Sequence, residues 1–468
     1  MCMNKKLIGF LLALLAGGGI LFMPEIQHLS GAGQRCLAVF ASVFLLYLFE
    51  SVHVAVLSLL IAPILVLFQI ADINTALKGF SSTSTYLIIG SFVMAAAMLK
   101  SNLGDRITYW VLVQVGTSTR RISFGILCVN LVMAFLIPSS TARTAMLLPI
   151  CIKIIRLFQD KDVKSGRFGA NLLMTLCCTN STISAGILTS TVTNPMAVQY
   201  IEAATGQTVS FMKWLEWGFL PAFLMTIICW LLIQVFFSSN IDGNGHGREY
   251  FRARLAEMGP VSSRERNVFL VFAGTILLWV FGDKVGLDST TVCLLSAGVL
   301  CLPMLDCLDW DGCQKSISLS VVFVCSGGIS LGAAMSHTGA ANWLAESIFS
   351  VLQLSQYSPE ALISVLIIIV QFMHVVFVGT ATMANVFFPI LVGIAQVSNL
   401  DPALTVLPAA FMIGGYPILM FFNTTPNLLC CDTGELKARD FPLFGCVVSV
   451  VACVVYIACV YWYWPLLG

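Results

Sequence analysis

The sequence predicts an all-α polytopic membrane protein, and three observations lead to this fold class. Of the 468 residues, 58% are hydrophobic and only 10% are charged, whereas charged residues make up about 25% of a typical soluble domain. The mean hydropathy of +0.92 is too high for a soluble core of this length. Apolar stretches that could cross or nearly cross a bilayer recur along the whole chain. The net charge of +1 gives no reason to expect a nucleic-acid partner.

About 11 stretches are predicted to cross the lipid bilayer as helices. They lie at residues 7–23, 36–49, 54–70, 85–99, 168–188, 213–238, 267–281, 290–305, 318–335, 403–422 and 441–466. The first follows a basic start but no small-residue cleavage site, so we interpret it as a transmembrane helix rather than a signal peptide. Most of the 17 cysteines fall within apolar stretches and are expected to pack as small hydrophobic residues.

The basic residues predict the orientation of the chain. Nineteen of the 24 lysines and arginines, including Lys161 and Lys164, fall on one side of the predicted spans. The exceptions are four on the other side and one within the membrane: Arg35, Lys78, Lys213, Lys284 and Arg143. Because Lys and Arg concentrate in cytoplasmic loops, we predict a multi-pass protein of a bacterial cytoplasmic membrane with its N-terminus inside.

A polar interruption at "LIPSSTARTAMLLPI" (136–150) predicts a re-entrant hairpin over residues 122–157. Basic residues flank both ends of this stretch, so both ends should lie on the inner side. Pro138 would end a helix between two arms that are each too short to cross. The tip is expected at Ser139, Ser140 and Thr141, near the middle of the membrane. Backbone that turns at this depth must face protein or a water-filled cavity.

The same pattern recurs about 240 residues later, which predicts an internal repeat. Residues 138–151 align with 378–391 at an offset of 240, and residues 96–102 align with 333–339 at 237. Residues 190–194 align with 423–427 at 233. The number of intervening spans is odd, so the second copy should be inverted. Its hairpin, residues 361–396, should therefore enter from the outside.

Two further polar breaks predict discontinuous helices at 168–205 and 403–434. "TSTVTNP" (189–195) and "FNTTPN" (422–427) each interrupt an apolar run, and the free backbone groups at such breaks bind ions and anions in transporters. We divide the chain into a first repeat (1–239), a cytoplasmic connecting loop with a short basic surface helix (240–266), and a second repeat (267–468). A similar surface helix is expected within residues 100–121.

With these motifs, nearly the whole chain resembles the divalent-anion/sodium symporter family, and it is nearer the exchanger branch of that family. "GFSSTSTYLIIGSFVMAAAM" (79–98) and "VVFVCSGGISLGAAMSHTGAANWLA" (321–345) look like the paired scaffold segments of the family. The resemblance implies an elevator-type secondary transporter for small divalent anions, C4 dicarboxylates above all. It also implies a homodimer in which hairpins and broken helices move against a scaffold.

The resemblance also implies which residues form the site. Substrate contacts are expected from Ser139, Ser140, Thr141, Arg143, Thr191, Asn194, Gly379, Thr380, Thr424, Thr425 and Asn427. If the transporter is coupled to sodium, the ion contacts are expected from Ser139, Ser140, Ser190, Gly379, Thr380 and Asn423. The family places a Ser-Asn-Thr triplet at each tip, but this chain has Ser140 and Thr380 at the asparagine positions. This departure favours anion exchange over sodium symport.

Two basic residues allow alternative interpretations. A charge at membrane depth costs about 3 kcal/mol on insertion scales, so Arg143 needs a partner. Its guanidinium could hold a substrate carboxylate, stand in for a sodium ion, or cap carbonyls of its own hairpin. His374 could carry a proton or simply pack within the second hairpin.

Other function classes find no support in the sequence. A cation/proton antiporter would need an ionised carboxylate in a hairpin or a helix break, and an embedded enzyme would need a paired acid and base or metal ligands. Neither is present in the motifs. We expect no enzyme activity and no cofactor, with sodium at most as a coupling ion.

Overall fold

The computed structural model describes residues 2–116, 118–159, 167–239, 246–351, 353 and 356–467. Every regular element within these residues is a helix, which confirms the predicted all-α fold class. Lys161 and Lys164, both predicted to lie on the inner side, are outside the described residues. The same is true of residues 240–245 in the predicted connecting loop.

The first half of the chain forms helices α1 to α12. They are α1 (Cys2–Phe22), α2 (Gly31–Phe49), α3 (Val54–Leu67), α4 (Ile73–Ala76), α5 (Thr83–Ser101), α6 (Leu103–Val115), α7 (Thr119–Leu136), α8 (Ser140–Gln159), α9 (Phe168–Met174), α10 (Asn180–Ala185), α11 (Thr193–Thr205) and α12 (Phe211–Phe236). A π-helical turn, Thr175–Thr179, joins α9 to α10. α9, this turn and α10 form one continuous helical segment. It ends at an irregular segment, residues 186–192, where the sequence predicted a broken helix.

The second half repeats this order of elements. Its helices are α13 (His246–Glu257), α14 (Ser263–Phe281), α15 (Ser289–Leu300), α16 (Trp310–Ser316), α17 (Leu319–Thr338), α18 (Ala340–Val351), α19 (Pro359–Met373), α20 (Thr380–Val397), α21 (Pro402–Gly415), α22 (Thr425–Cys431) and α23 (Phe441–Ala458). The surface helix expected within residues 100–121 corresponds to α6, and the helix expected in the connecting loop corresponds to α13. α18, the counterpart of α6, was not expected from the sequence.

The packing of the two halves is reciprocal. α5 packs against α15, and its counterpart α17 packs against α3, the counterpart of α15. Hydrogen bonds also join α5 and the turn before it directly to α17: Gly79 N donates to Ser330 Oγ at 3.0 Å, and the hydroxyls of Thr85 and Ser326 are 3.0 Å apart. The two halves are therefore interleaved, and neither could bury its apolar faces without the other.

Nine helices in the described part of the chain are long and apolar enough to cross a membrane. This number is below the predicted 11, because α3 and α15 are short and the broken helices are divided. The nine also include α7 and α20, which the sequence assigned to hairpins. Large apolar side chains such as Leu15, Val235, Leu277 and Val454 are exposed on the outer helices. Such side chains suit contact with lipid, and the chain is an integral multi-pass membrane protein.

Candidate anion site

The first tip is a turn of three residues between α7 and α8. α7 ends at Leu136 and α8 begins at Ser140, so Pro138 lies in the break, as predicted. Proline lacks an N–H group and disfavours a helical residue before it. Ser139 Oγ accepts a hydrogen bond from Ala142 N at 3.3 Å and caps the new helix. The tip therefore presents the first turn of a helix, where backbone N–H groups are free to face an anion.

Arg143 is fully buried in the first turn of α8 and is held by four hydrogen bonds. Its Nε donates to Asn180 Oδ1 at 2.6 Å. Its Nη1 donates to Ile137 O and to Ser190 Oγ, both at 2.7 Å, and its Nη2 donates to Ser184 Oγ. All four acceptors are uncharged oxygen atoms, contributed by the tip, by α10 and by the turn that follows α10.

The surroundings of the buried guanidinium hold no ionic partner within the described residues. Among the residues that the structure describes, no carboxylate forms an ion pair with Arg143. Its bond to Ile137 O matches the capping interpretation. Its bond to Ser190, an expected ion ligand, places a fixed cation where a sodium ion was expected. With no exposed surface, Arg143 faces protein in this conformer and not an open cavity.

Asn180 and Ser184 belong to this cluster, although neither was among the site residues expected from the sequence. Asn180 Nδ2 donates to Ser140 O and to Thr144 Oγ1, both at 2.7 Å. It therefore ties the first tip to α10 while its carbonyl oxygen holds Arg143. A signal was present in the sequence, because "TNSTIS" (179–184) is a polar run inside an apolar stretch.

An asparagine closes each helix break. Asn194 Nδ2 donates to Ser184 O and to Ile187 O, both at 2.9 Å. Asn427 Nδ2 donates to Pro417 O at 2.8 Å and to Met420 O at 3.4 Å. The amide N–H groups of both residues are thus engaged in their own turns. Any contact of these residues with substrate must come from their carbonyl oxygens.

The second tip is held by an asparagine where the first is held by Arg143. Asn423 Nδ2 donates to His374 O at 2.5 Å and to Phe377 O at 3.1 Å. At the sequence offsets of the repeat, Phe377 corresponds to Ile137 and Asn423 corresponds to Ser190. The tip carbonyl therefore has a donor in both halves, although the donor differs.

His374 lies beside this second tip, fully enclosed by protein. Its Nδ1 is 3.0 Å from Gln371 O, and its Nε2 is 3.3 Å from Ile413 O. Both neighbours are carbonyl oxygens, which only accept hydrogen bonds. A neutral imidazole donates through one nitrogen, whereas a protonated ring donates through both.

Several hydroxyls at the tips and turns have no protein partner. Within the described residues, no side-chain hydrogen bond is made by Ser140, Thr141, Thr380, Thr424 or Thr425. Thr141 and Thr425 are exposed and the other three are partly buried, whereas Thr191 is buried. α8, which begins at the first tip, packs against α22, which follows the second helix break. These hydroxyls are available to donate to a ligand.

Comparison with known proteins agrees with this architecture. The model of the family described as "Sodium:sulfate symporter transmembrane region" matches residues 4–468. The chain belongs to this family. A sodium-dependent dicarboxylate transporter of Staphylococcus saprophyticus is 25% identical to it over 95% of this chain and 88% of its own length. A citrate/succinate antiporter of Escherichia coli is 23% identical over 96% of both chains.

A solved structure supports the fold independently. The MtrF protein of Neisseria gonorrhoeae superposes with a TM-score of 0.56 at 12% identity, covering 99% of this chain and 94% of its own. At this identity the likeness concerns the fold alone. Because the family and these relatives are transporters, this family member is a membrane transporter and not an enzyme.

Proposed function

We propose that this protein exchanges small dicarboxylates, chiefly C4 dicarboxylates, across the cytoplasmic membrane. The relatives named above include both a dicarboxylate transporter and a citrate/succinate antiporter. The unpartnered hydroxyls of Ser140, Thr141 and Thr380 lie at the starts of α8 and α20, where backbone N–H groups also favour an anion. Hydroxyls donate to a carboxylate, so they can hold the two ends of a dianion.

The observation that carries the exchange proposal is the buried guanidinium of Arg143. It adds one positive charge beside the first tip, and its acceptors are neutral. A charge moved across the membrane without a counter-ion is costly. With the second positive charge described below, a carrier loaded with a dianion is neutral, whereas an empty carrier leaves the Arg143 charge uncompensated. Substrate must then occupy the site in both directions, and this requirement defines obligatory exchange.

His374 would complete the charge balance. A proton bound together with the dianion would let the ring donate to both of its carbonyl neighbours, and it would add a second positive charge beside the second tip. The guanidinium and this proton would together neutralise a dicarboxylate dianion. In this proposal the hairpins and broken helices form the moving unit of a homodimeric elevator, and α2, α3, α5, α14, α15 and α17 belong to the scaffold.

Sodium symport is the second candidate mechanism. It is favoured by the sodium-dependent dicarboxylate transporter among the relatives. In that mechanism Arg143 would only cap the first tip, and sodium would have to bind elsewhere, for example near Gly379 and Thr380.

Efflux from proteoliposomes loaded with radiolabelled succinate distinguishes the two mechanisms. Under exchange, efflux needs external dicarboxylate and is unchanged when choline replaces sodium. Arg143→Gln should weaken binding and allow efflux into medium without substrate. Sodium-dependent uptake of succinate into empty liposomes would contradict the exchange proposal.

A further inference from the structure

A cavity of about 630 Å³ opens between α5, α11, α17 and α20. It lies where α5 begins and where the other three helices end, so it is at one face of the molecule. We call this cavity the vestibule. Its wall includes Lys78, Gln199, Glu202, Ser336, His337 and Gln396. Apolar side chains such as Ile329 and Val392 complete the wall, the volume is large enough for a dicarboxylate, and none of the tip hydroxyls lines the cavity.

A much smaller cavity lies deeper between two of the same helices. It has a volume of about 10 Å³ and is lined by Ser91 of α5, Pro138 of the first tip, and Thr191 and Pro195 near the start of α11. From Thr83 at the vestibule to Ser91 is eight residues, or about 12 Å along a helix. A cavity of this size is at the lower limit for one water molecule. The interface of α11 with α5 and α17, which we call the seam, therefore leads from the vestibule to the first tip. It is closed to a dicarboxylate in this conformer.

Two buried hydrogen bonds cross this closed seam, and an exposed one, from Thr83 Oγ1 of α5 to Gln199 Oε1 of α11 at 3.3 Å, lies at its vestibule end. Ser84 Oγ of α5 donates to Pro195 O of α11 at 2.5 Å. The hydroxyl of Tyr200, on α11, donates to Gly328 O of α17 at 2.8 Å. Both bonds join α11, from a broken helix, to helices whose sequences resemble scaffold segments.

The aromatic ring of Tyr200 fills the space beside these bonds. It packs edge-on against Phe388 of α20, with the ring centroids 5.6 Å apart. It also lies over Gly332 of α17, where an added Cβ would be 2.3 Å from the ring. The glycine is thus needed for the ring to reach its place. Meanwhile Thr141 and Thr425 are exposed, so the site hydroxyls are reachable by another route while this seam is closed.

We propose that the vestibule is an access chamber for the transported dianion, and that Tyr200 with Ser84 forms the seal that closes it in this conformer. The chamber role rests on the proposed function. Lys78 supplies the positive charge that attracts the dianion, and His337 and Glu202 line the same wall. The seal opens when α11 and α20 move against α5 and α17, which breaks both hydrogen bonds.

Cysteine accessibility in the full-length protein tests the seal without any transport measurement. Ile88, which lines the small cavity and is 3% exposed, is replaced by cysteine and treated with a membrane-impermeant thiol reagent. The unmodified chain gives the background from its native cysteines. Tyr200→Phe removes one hydrogen bond and should speed the labelling of Ile88→Cys about fivefold; Ser84→Ala in the same chain should speed it further.

Two controls make the labelling result specific. Tyr86→Phe changes an exposed tyrosine of α5 outside the seal and should leave the rate unchanged. Ser336→Cys, in the vestibule itself, should react equally fast in all backgrounds, which also verifies folding. An unchanged rate at Ile88→Cys in the Tyr200→Phe and Ser84→Ala double variant would overturn the seal.

The chamber role is tested with succinate as the probe. Succinate should slow the labelling of Ser336→Cys, and Lys78→Gln should reduce this protection several-fold, whereas Lys284→Gln should not. If succinate gives no protection, or if Lys78→Gln does not change the protection, the chamber role is overturned. The seal is judged separately, by the labelling of Ile88→Cys. A wild-type protein that transports no dicarboxylate contradicts the proposed function, and the labelling of Ile88→Cys still decides the seal.

Discussion

Asn194 and Asn427 occupy equivalent places in the two halves of the chain. Each donates through Nδ2 to the carbonyl oxygens of the residues ten and seven positions before it. The two asparagines are 233 residues apart, which is the offset between the matching sequences 190–194 and 423–427. Both helix breaks are therefore closed by the same hydrogen-bonded turn, which supports duplication of one ancestral unit.

The first prediction concerns the stability of these turns. Asn194→Ala and Asn427→Ala each remove two side-chain hydrogen bonds that close a buried turn, and each such bond contributes about 0.5–1.5 kcal/mol. We expect both variants to melt several degrees below the wild type in detergent. Thermal unfolding followed by intrinsic fluorescence measures the change.

Asn342→Ala is the matched control for this prediction. The side chain of Asn342 makes no hydrogen bond within the described residues, so its removal should leave the melting temperature nearly unchanged. If all three variants had the same melting temperature as the wild type, the stability of the two turns would not depend on their asparagines.

The second prediction concerns the oxygen cluster around Arg143. Arg143→Ala leaves Ile137 O, Ser184 Oγ, Ser190 Oγ and Asn180 Oδ1 around an empty space, and oxygen ligands suit a hard cation. Sodium should therefore stabilise the variant. At sodium concentrations near ten times its dissociation constant, we expect a rise of about 1–3 °C in melting temperature relative to choline at equal ionic strength.

Two further samples control for general salt effects on this melting temperature. The wild type should show no such rise, because its guanidinium already fills the space. Arg167→Ala removes an arginine that pairs with Asp440, outside the cluster, and should also show none. The same sodium response in all three proteins would refute a cation position at the first tip.

A third prediction concerns the hydroxyl of Thr380. Thr380→Val preserves the size of the side chain but removes a hydroxyl that makes no side-chain hydrogen bond in the part of the chain that the structure describes. If the hydroxyl binds a carboxylate, the apparent affinity for succinate should fall about tenfold to a hundredfold, following the cost of an unpaired polar group. The melting temperature should not fall.

The control for Thr380→Val is Thr338→Val, at the end of α17. This hydroxyl donates to the carbonyl of Ala334 within its own helix, so its removal should leave succinate affinity unchanged. Identical kinetics for Thr380→Val and the wild type would remove Thr380 from the site.

The fourth prediction concerns topology. If the second repeat is inverted, a cysteine at Gln356, before α19, should face the outside, and a cysteine at Lys315, before α17, should face the inside. Both residues are exposed. An impermeant thiol reagent added to intact cells should label Gln356→Cys, and should label Lys315→Cys only after permeabilisation. Labelling of both in intact cells would contradict the inverted repeat.

The fold class and the positions of the breaks follow from the sequence alone. Apolar composition over this length admits only a membrane-embedded helical fold, and the prolines and polar clusters near residues 138 and 190 mark where helices end. α18 escaped prediction because its residues, "AANWLAESIFSV", are amphipathic and too few to cross a membrane.

The contacts of the polar residues at the breaks depend instead on the tertiary structure. The sequence left Arg143 with three possible roles, because the direction of a long side chain depends on neighbours far along the chain. Asn180 and Ser184, about 40 residues away, supply two of its acceptors. Likewise the seal of Tyr200 on Gly328 joins residues 128 positions apart. Local patterns encode where a helix ends, but the pairing of buried polar groups depends on packing between distant helices.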